Sequence, residues 1–315
     1  MIQKPMDVLA EFPIRKSNKE KTGFIEAVTK YAGDLGYATN LETEKRGVRN
    51  IVIGNLEKAK YLITAHYDTP ASIGLPNFIV PNHPVAYFGF QFVLVSLLLA
   101  VAIGVGFATY HFSCDRRLSF LAGYLVYFAI LILMLKGPAN KSNANDNTSG
   151  IVTALEILAA LPDELRETVC VVLFDMEEAG LVGSAMFRKK HKAVTENQIV
   201  LNLDCVGDGD VIQLTPVKKA RKDEALLNSL AKVCTPKGEK ELRIHSKGFY
   251  GGSSDHKNFP FGVAIMAFHY QKGLGLYCGR IHTWRDKILD DQNVQILKDA
   301  LISIIAEHSK NTIKI

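Results

Sequence analysis

Three hydrophobic patterns divide the chain. Between Ser17 and Leu35 apolar residues return at helical spacing (Phe24, Ile25, Val28, Tyr31, Leu35), which predicts an amphipathic helix stopped by Gly36. The second pattern is a set of short strand-like runs at Val48–Ile53, Tyr61–Ala65, Val169–Phe174, Ile199–Leu203 and Val263–Phe268. Val169–Phe174 is apolar throughout, as in a strand covered on both faces. Helical segments at Ile151–Ala160, Ala185–Lys190, Asp223–Val233 and Asp290–His308 alternate with these runs, and Thr148 or Ser149 is a candidate cap for the first of them. This order predicts an α/β fold, a mostly parallel mixed sheet sandwiched by helices.

The third pattern interrupts the other two. No Lys, Arg, Asp or Glu occurs between Asp68 and Asp115, and Val85–Phe112 and Leu118–Leu135 are almost wholly apolar. Each is close to the roughly 17–25 residues that a membrane-spanning helix requires. A short loop, Ser113 to Arg117, joins them, so a two-helix transmembrane hairpin over residues 85–135 is expected. The alternative is an apolar helix pair that forms a lid or packs on a partner subunit. Residues 1–80 and 139–315 are then two parts of one α/β domain, with 81–138 as the insertion. Two crossings return the chain to its starting side. The lysines and arginines ahead of Val85, and the lack of an apolar signal-peptide core near the N-terminus, favour the cytosol for that side.

Composition narrows the partners. The net charge is +5, but the basic residues are scattered and form no stripe suited to nucleic acid. The five cysteines, at positions 114, 170, 205, 234 and 278, contain no C-x-x-C pair and read as reduced thiols. Nothing in the composition sets the oligomeric state, so a homo-oligomer stays open.

The chemistry gathers around Glu177 and Glu178, adjacent carboxylates just beyond the Val169–Phe174 strand. Ligands collect at the carboxyl ends of strands in such sheets. Two neighbouring glutamates resist burial there unless a cation holds one and the other serves as acid or base; the bland alternative is an acidic helix start. His66-x-Asp68, Asp146-Asn147, Asn202-x-Asp204 and His282-Thr283 lie at strand ends or in loops able to reach the same edge. Nitrogen and carboxylate donors without cysteine suit zinc, and also cobalt or manganese. Asp68 is placed to accept the second imidazole N–H of His66, or else is a loop carboxylate in water.

In chain order, His66-x-Asp68, Asp146-Asn147, Glu177-Glu178-x-Gly180-Leu181-x-Gly183-Ser184, Asn202-x-Asp204, Ser254-Asp255-His256 and His282-Thr283-x-x-Asp286 resemble the M28 family of dinuclear zinc aminopeptidases. The resemblance covers nearly the whole chain outside the apolar insertion. It implies a zinc-dependent exopeptidase fold, two zinc ions and a peptide substrate. Asp146 would bridge the metals, His66 and Asp204 would complete one site, Glu178 and His282 the other, and Glu177 would be the general base. Asp255-His256 resembles a family element that supports the ligands, with an ordinary structural histidine as the alternative. Asp286 would brace the His282 loop, and His245, His269 and His308 have no partner pattern. Gly248–Ser253 is either a loop near substrate or a turn cluster.

The rival from another class is a membrane scaffold on an inactive peptidase fold, against which the complete ligand set argues. Glutaminyl cyclases, which use one zinc, and other acyl hydrolases share the fold. The main departure from the family is the apolar insertion between Asp68 and Asp146, where a short loop is usual.

Overall fold

In the computed structural model, residues 2–72 and 77–312 are described, with side chains as far as Glu307. Helix α1 (Asp7–Glu11) leads into α2 (Asn18–Asp34), whose start is fixed by a capping box: the Ser17 hydroxyl accepts from the Glu20 amide, and the Glu20 carboxylate accepts from the Ser17 amide. Strands β1 (Thr39–Thr43), β2 (Arg49–Ile53) and β3 (Tyr61–His66) follow, then the apolar helices α3 (Pro84–Ser113) and α4 (Arg116–Lys136). Beyond them the chain alternates: α5 (Gly150–Ala160), β4 (Val169–Phe174), α6 (Val182–Lys190), β5 (Ile199–Leu203), β6 (Val211–Pro216) and α7 (Glu224–Val233). Strands β7 (Pro236–Lys237), β8 (Lys240–Ile244), β9 (Phe261–Gln271) and β10 (Gly275–Tyr277) precede α8 (Asp291–Thr312).

The sheet order is β1-β2-β4-β3-β5-β9-β6-β8-β7, with β10 paired to β9. Its centre, β4-β3-β5-β9, is parallel. The flanks are mostly antiparallel, in β1/β2, β2/β4, β6/β9, β7/β8 and β9/β10, with β6/β8 parallel. The sheet is therefore mixed, and the expectation of a mostly parallel one is corrected. The parallel centre is covered by helical crossovers, and hairpins and returns build the edges.

The connection from β3 runs to β4 on one side, and the connection from β4 returns past β3 to β5 on the other, so the winding reverses at β3. That arrangement opens a crevice at the carboxyl ends of the three strands. Helix α5, whose apolar residues from Ile151 to Leu158 are buried, and α8 pack one face of the central sheet. Neither Thr148 nor Ser149 caps α5 with its side chain. The Asn147 side chain does this instead, accepting from the Gly150 amide at 3.0 Å.

Helices α3 and α4 form an antiparallel hairpin held by small residues. Ala102 and Gly106 on one helix face Ser119 and Gly123 on the other: a Cβ on Gly123 would lie 2.8 Å from the Ala102 carbonyl, and the Ser119 hydroxyl donates to the Gly106 carbonyl at 2.7 Å. Such small-residue spacing lets apolar helices approach closely without a core of their own. Both helices are long and apolar enough to cross a membrane, and their outer faces are bare, with Phe92 73%, Ile103 70%, Phe107 72% and Phe120 76% exposed. A buried core helix would not look like this. The ends of the hairpin are tied to the sheet. The Ser72 amide donates to Pro138, the Asn140 amide to Pro70, and the Lys16 ammonium to Leu135 at the end of α4.

Candidate metal centre

Each expected site residue sits at a strand end or on a loop at the central crevice. His66 ends β3, Glu177 and Glu178 follow β4, Asp204 follows β5, Asp146 precedes α5 and His282 lies after β10. The turn after β4 needs its glycines: Gly180 has φ +100°, and a Cβ on Gly183 would lie 2.0 Å from the Asp175 carbonyl, so α6 can start hard against the strand end.

These loops bring six chemistry-bearing side chains together. His66 Nε2 lies 3.2 Å from Asp146 Oδ1 and 3.7 Å from Asp204 Oδ1. His282 Nε2 lies 2.9 Å from Asp146 Oδ2 and 3.4 Å from Glu178 Oε2. Three overlapping triads result, His66–Asp146–Asp204, Asp146–Glu178–His282 and His66–Glu177–Glu178, each with donor atoms within 4.8 Å of one another. Asp146 belongs to the first two and offers a different oxygen to each histidine.

The supporting contacts differ from the expected ones. Asp68 was expected to take the His66 N–H on its carboxylate. Nδ1 instead donates to the Asp68 main-chain carbonyl at 3.1 Å, while the carboxylate stands 3.6 Å away. The carboxylate accepts the amides of Glu177 at 3.0 Å and Glu178 at 3.3 Å. Asp286, expected to brace the His282 loop, accepts the Asn145 and Asp146 amides at 2.7 and 3.0 Å and so fixes the Asp146 loop. Ser254 accepts from the Asn202 side chain at 2.9 Å, and His256 is buried with Nδ1 unpaired, its pKa pushed down to about 4 chiefly by burial. His269 has a partner that its sequence context did not reveal: it meets Asp208 at 2.8 Å, which also pairs with Arg280. His245 binds the Phe249 carbonyl, and the side chain of His308 lies outside the described residues.

Electrostatics show what this cluster demands. Burial raises the Glu177 carboxyl well above the usual range, with Glu178, Asp204 and Asp255 adding repulsion, and burial lifts Glu178 to about 8. Burial would lower both histidines, but the surrounding carboxylates overcome it, raising His66 well above its ordinary value and His282 to about 9. Burial would likewise raise Asp146, yet hydrogen bonds from His282 and His66 hold it well below the carboxylate range. The cluster thus recruits protons to balance its carboxylates, a task metal cations perform by displacing them. Glu178 Oε1 is buried with no hydrogen-bond partner, an acceptor suited to a cation. The nitrogen and oxygen donor set fits zinc, cobalt or manganese.

A cavity of about 310 Å³ opens over the cluster. Besides the cluster, Ile79, Leu181, Tyr250, Met266 and Ile281 line it, together with the polar residues Asn77, Ser253 and Ser254. None of these carries a metal-ligand signature, so sequence reasoning missed Ile79, Met266 and Ile281. The Gly248–Ser253 segment does reach the cavity, through Tyr250, Gly252 and Ser253. Arg15 was also missed. Fully buried, it donates from Nε to the Tyr67 carbonyl at 2.6 Å and from Nη1 to Thr148 at 3.2 Å, tying the His66 loop to the Asp146 loop.

The fold recurs in solved structures of low identity. The glutaminyl cyclase of Bacteroides thetaiotaomicron superposes with a TM-score of 0.58 at 15% identity, over 96% of this chain and 95% of that one. That of Porphyromonas gingivalis gives 0.57 at 16%, over 96% of both chains, and the LapA aminopeptidase of Legionella pneumophila 0.55 at 16%, over 96% of this chain and 70% of that one. No curated protein sequence matches the chain. The sequence model of peptidase family M28 matches residues 133–304, a span that carries Asp146, Glu177, Glu178, Asp204 and His282, and since this is more than half of the 315 residues, the chain belongs to that family.

Proposed function

We propose that the chain is a membrane-anchored dinuclear metallo-aminopeptidase. The observation that carries the reading is Asp146: its two oxygens face His66 and His282 at 3.2 and 2.9 Å, so one carboxylate serves two ligand groups. His66, Asp146 and Asp204 would hold one ion, and Asp146, Glu178 and His282 the other, with zinc as the leading candidate and cobalt or manganese as alternatives. Such an ion pair supplies Lewis acidity, polarising a carbonyl and lowering the pKa of water.

The chain's own residues do the rest. Glu177 lines the cavity beside His66 and Glu178; its carboxylate would take a proton from the water whose oxygen bonds to the scissile carbonyl carbon and give it to the amine as the C–N bond breaks. Asp68 holds the backbone of both glutamates, and its carbonyl fixes the His66 tautomer with Nε2 free toward Asp146. Helices α3 and α4 cross the bilayer as a hairpin, their exposed apolar faces against lipid. The N-terminal residues and the site share one side of the membrane, in our reading the cytosolic side, given the basic residues ahead of α3.

Elemental analysis of the purified chain, combined with release of amine from aminoacyl reporters, tests this. Two ions per chain with turnover are expected. One ion per chain, with cyclisation of N-terminal glutamine and no aminoacyl hydrolysis, would assign the chain to glutaminyl cyclase chemistry instead. Full metal loading with neither activity would favour the inactive scaffold.

A further inference from the structure

The sheet domain touches the base of the hairpin at both helices, which fixes the face it turns toward the ends of the apolar spans. At the start of α3 the Tyr87 and Phe88 rings each lie 5.6 Å from Phe249, and the Phe90 ring lies 6.0 Å from Phe78. At the end of α4 the Lys16 ammonium reaches the Leu135 carbonyl, and Asn140, just past Lys136, donates from its side chain to the Thr283 carbonyl at 3.1 Å. Residues 283–288 are therefore pinned beside the level at which α4 passes from apolar residues to Lys136.

That segment presents both apolar and cationic groups. Trp284, the single tryptophan of the chain, is 72% exposed, and Ile288 is 41% exposed. Between them Arg285 and Lys287 are exposed as well, and the Lys287 ammonium stands 5.6 Å from the centre of the Trp284 ring. Asp286, the one carboxylate of the segment, is buried and accepts the Asn145 and Asp146 amides, so the surface itself is positive. Lys136 and Lys141, exposed on either side of the Asn140 contact, extend that charge. Tryptophan settles at the headgroup level of a bilayer, and long cationic side chains lay their stems on apolar surface while their heads reach the phosphates. Two apolar side chains interleaved with cations offer little of the roughly 800 Å² that each partner buries in a stable protein interface. Continuity with the end of α4 and the positive charge both select lipid as the occupant.

We propose that residues 284–288 form a second membrane-contact element that seats the sheet domain on the headgroup layer of an anionic bilayer. Trp284 and Ile288 enter that layer, and Arg285 and Lys287 meet the lipid phosphates and carboxylates. This rests on the membrane hairpin of the reading above. His282 directly precedes the segment, and Asp286 within it holds the Asp146 loop, so the contact places the metal cluster at the bilayer surface.

The single tryptophan makes the test direct. The metal-loaded full chain is reconstituted in nanodiscs of phosphatidylcholine containing phosphatidylserine, with or without bromine on the acyl chains near the headgroup. Tryptophan emission should be shifted to the blue, mostly lost in brominated discs and shielded from aqueous iodide; Trp284→Phe supplies the tyrosine baseline. Arg285→Glu combined with Lys287→Glu should weaken the quenching by brominated lipid, as should discs of phosphatidylcholine alone. Metal content and melting temperature establish that each variant is folded. Retention of the chain by the discs at high salt reads the hairpin separately. Water-like emission open to iodide, from a chain that the discs retain, would overturn the inference and leave the hairpin standing. Blue-shifted emission untouched by brominated lipid would assign Trp284 to a protein contact, a second copy included, and overturn it as well. Quenching indifferent to both charge reversal and phosphatidylserine would reject anionic headgroups as the partner. A chain recovered soluble without lipid would dismiss the hairpin and this contact together.

Discussion

Glu177→Gln isolates the chemical step from metal binding. The substitution is isosteric and leaves the backbone amide of residue 177 on Asp68 at 3.0 Å, so the turn after β4 keeps its anchor. Burial and the carboxylates of Glu178, Asp204 and Asp255 already push the Glu177 carboxyl well above its ordinary range, so a neutral amide there relieves repulsion. The melting temperature should hold or rise. His66, Asp146, Glu178, Asp204 and His282 are untouched, so metal content should stay full. What disappears is the proton acceptor, and loss of a general base removes about 10²–10⁴-fold in kcat, equivalent to about 2.7–5.4 kcal/mol of barrier. Steady-state hydrolysis of a leucyl reporter, with metal measured on the same sample, reads this. A fully metallated variant with near-native kcat would refute the role. A variant that loses metal would show Glu177 to be a ligand, as its membership of the His66–Glu177–Glu178 triad allows.

Three further outcomes follow from the same geometry. Asp146→Ala should empty both sites, whereas Asp68→Ala, which removes a carboxylate that holds the glutamate backbone, should cost about 10–100-fold in affinity or activity; elemental analysis of both variants separates the roles. In the metal-free protein, Glu178 is raised from 4.5 to about 8, Asp286 from 3.8 to about 8 and His282 from 6.5 to about 9, so the folded state holds extra protons across this range. The stability these groups contribute should therefore be greatest near pH 4 and fall as pH rises to about 9, while the depressed Asp146 carboxylate takes stability away below that range; chelator-treated protein melted from about pH 4 to 9 should show the decline, and metal should abolish it. Cys114 is the exposed cysteine, in the hairpin loop, so an impermeant thiol reagent on intact cells should label it if the site faces the cytosol, and recovery of the chain in the soluble fraction would dismiss the hairpin.

What the sequence revealed follows burial. Strands β3, β4 and β5 are buried at every position, and their apolar runs announced them. The hidden strands have other reasons for their composition. Strand β1 is an edge whose residues are mostly exposed, so Thr39–Thr43 has no apolar signature. Strand β6 is fully buried but carries Gln213 and Thr215, polar groups that satisfy each other and Asn82 inside the fold. Polarity there reflects partners from distant segments, and no local pattern encodes them. The antiparallel flanks were unreadable for the same reason, since β2 joins β4 and β6 joins β9 only through tertiary pairing.

The candidate ligands were legible because metal chemistry restricts residue type at strand ends, and their supports were not. An H-x-D spacing suggests that the carboxylate holds its own histidine, as the sequence reading of Asp68 assumed. After β3 the main-chain carbonyl of Asp68 comes round to His66 Nδ1, leaving the carboxylate to cross to the neighbouring strand and collect the Glu177 and Glu178 amides. One residue thereby fixes His66 at the end of β3 and Glu177 and Glu178 after β4, which are adjacent in the sheet yet separated in sequence by the whole hairpin. The same logic applies to Arg15, which joins Tyr67 to Thr148 across that insertion. A long apolar segment can be inserted between His66 and Asp146 without dispersing the site because these cross-strand contacts, rather than the intervening chain, hold its two halves in register.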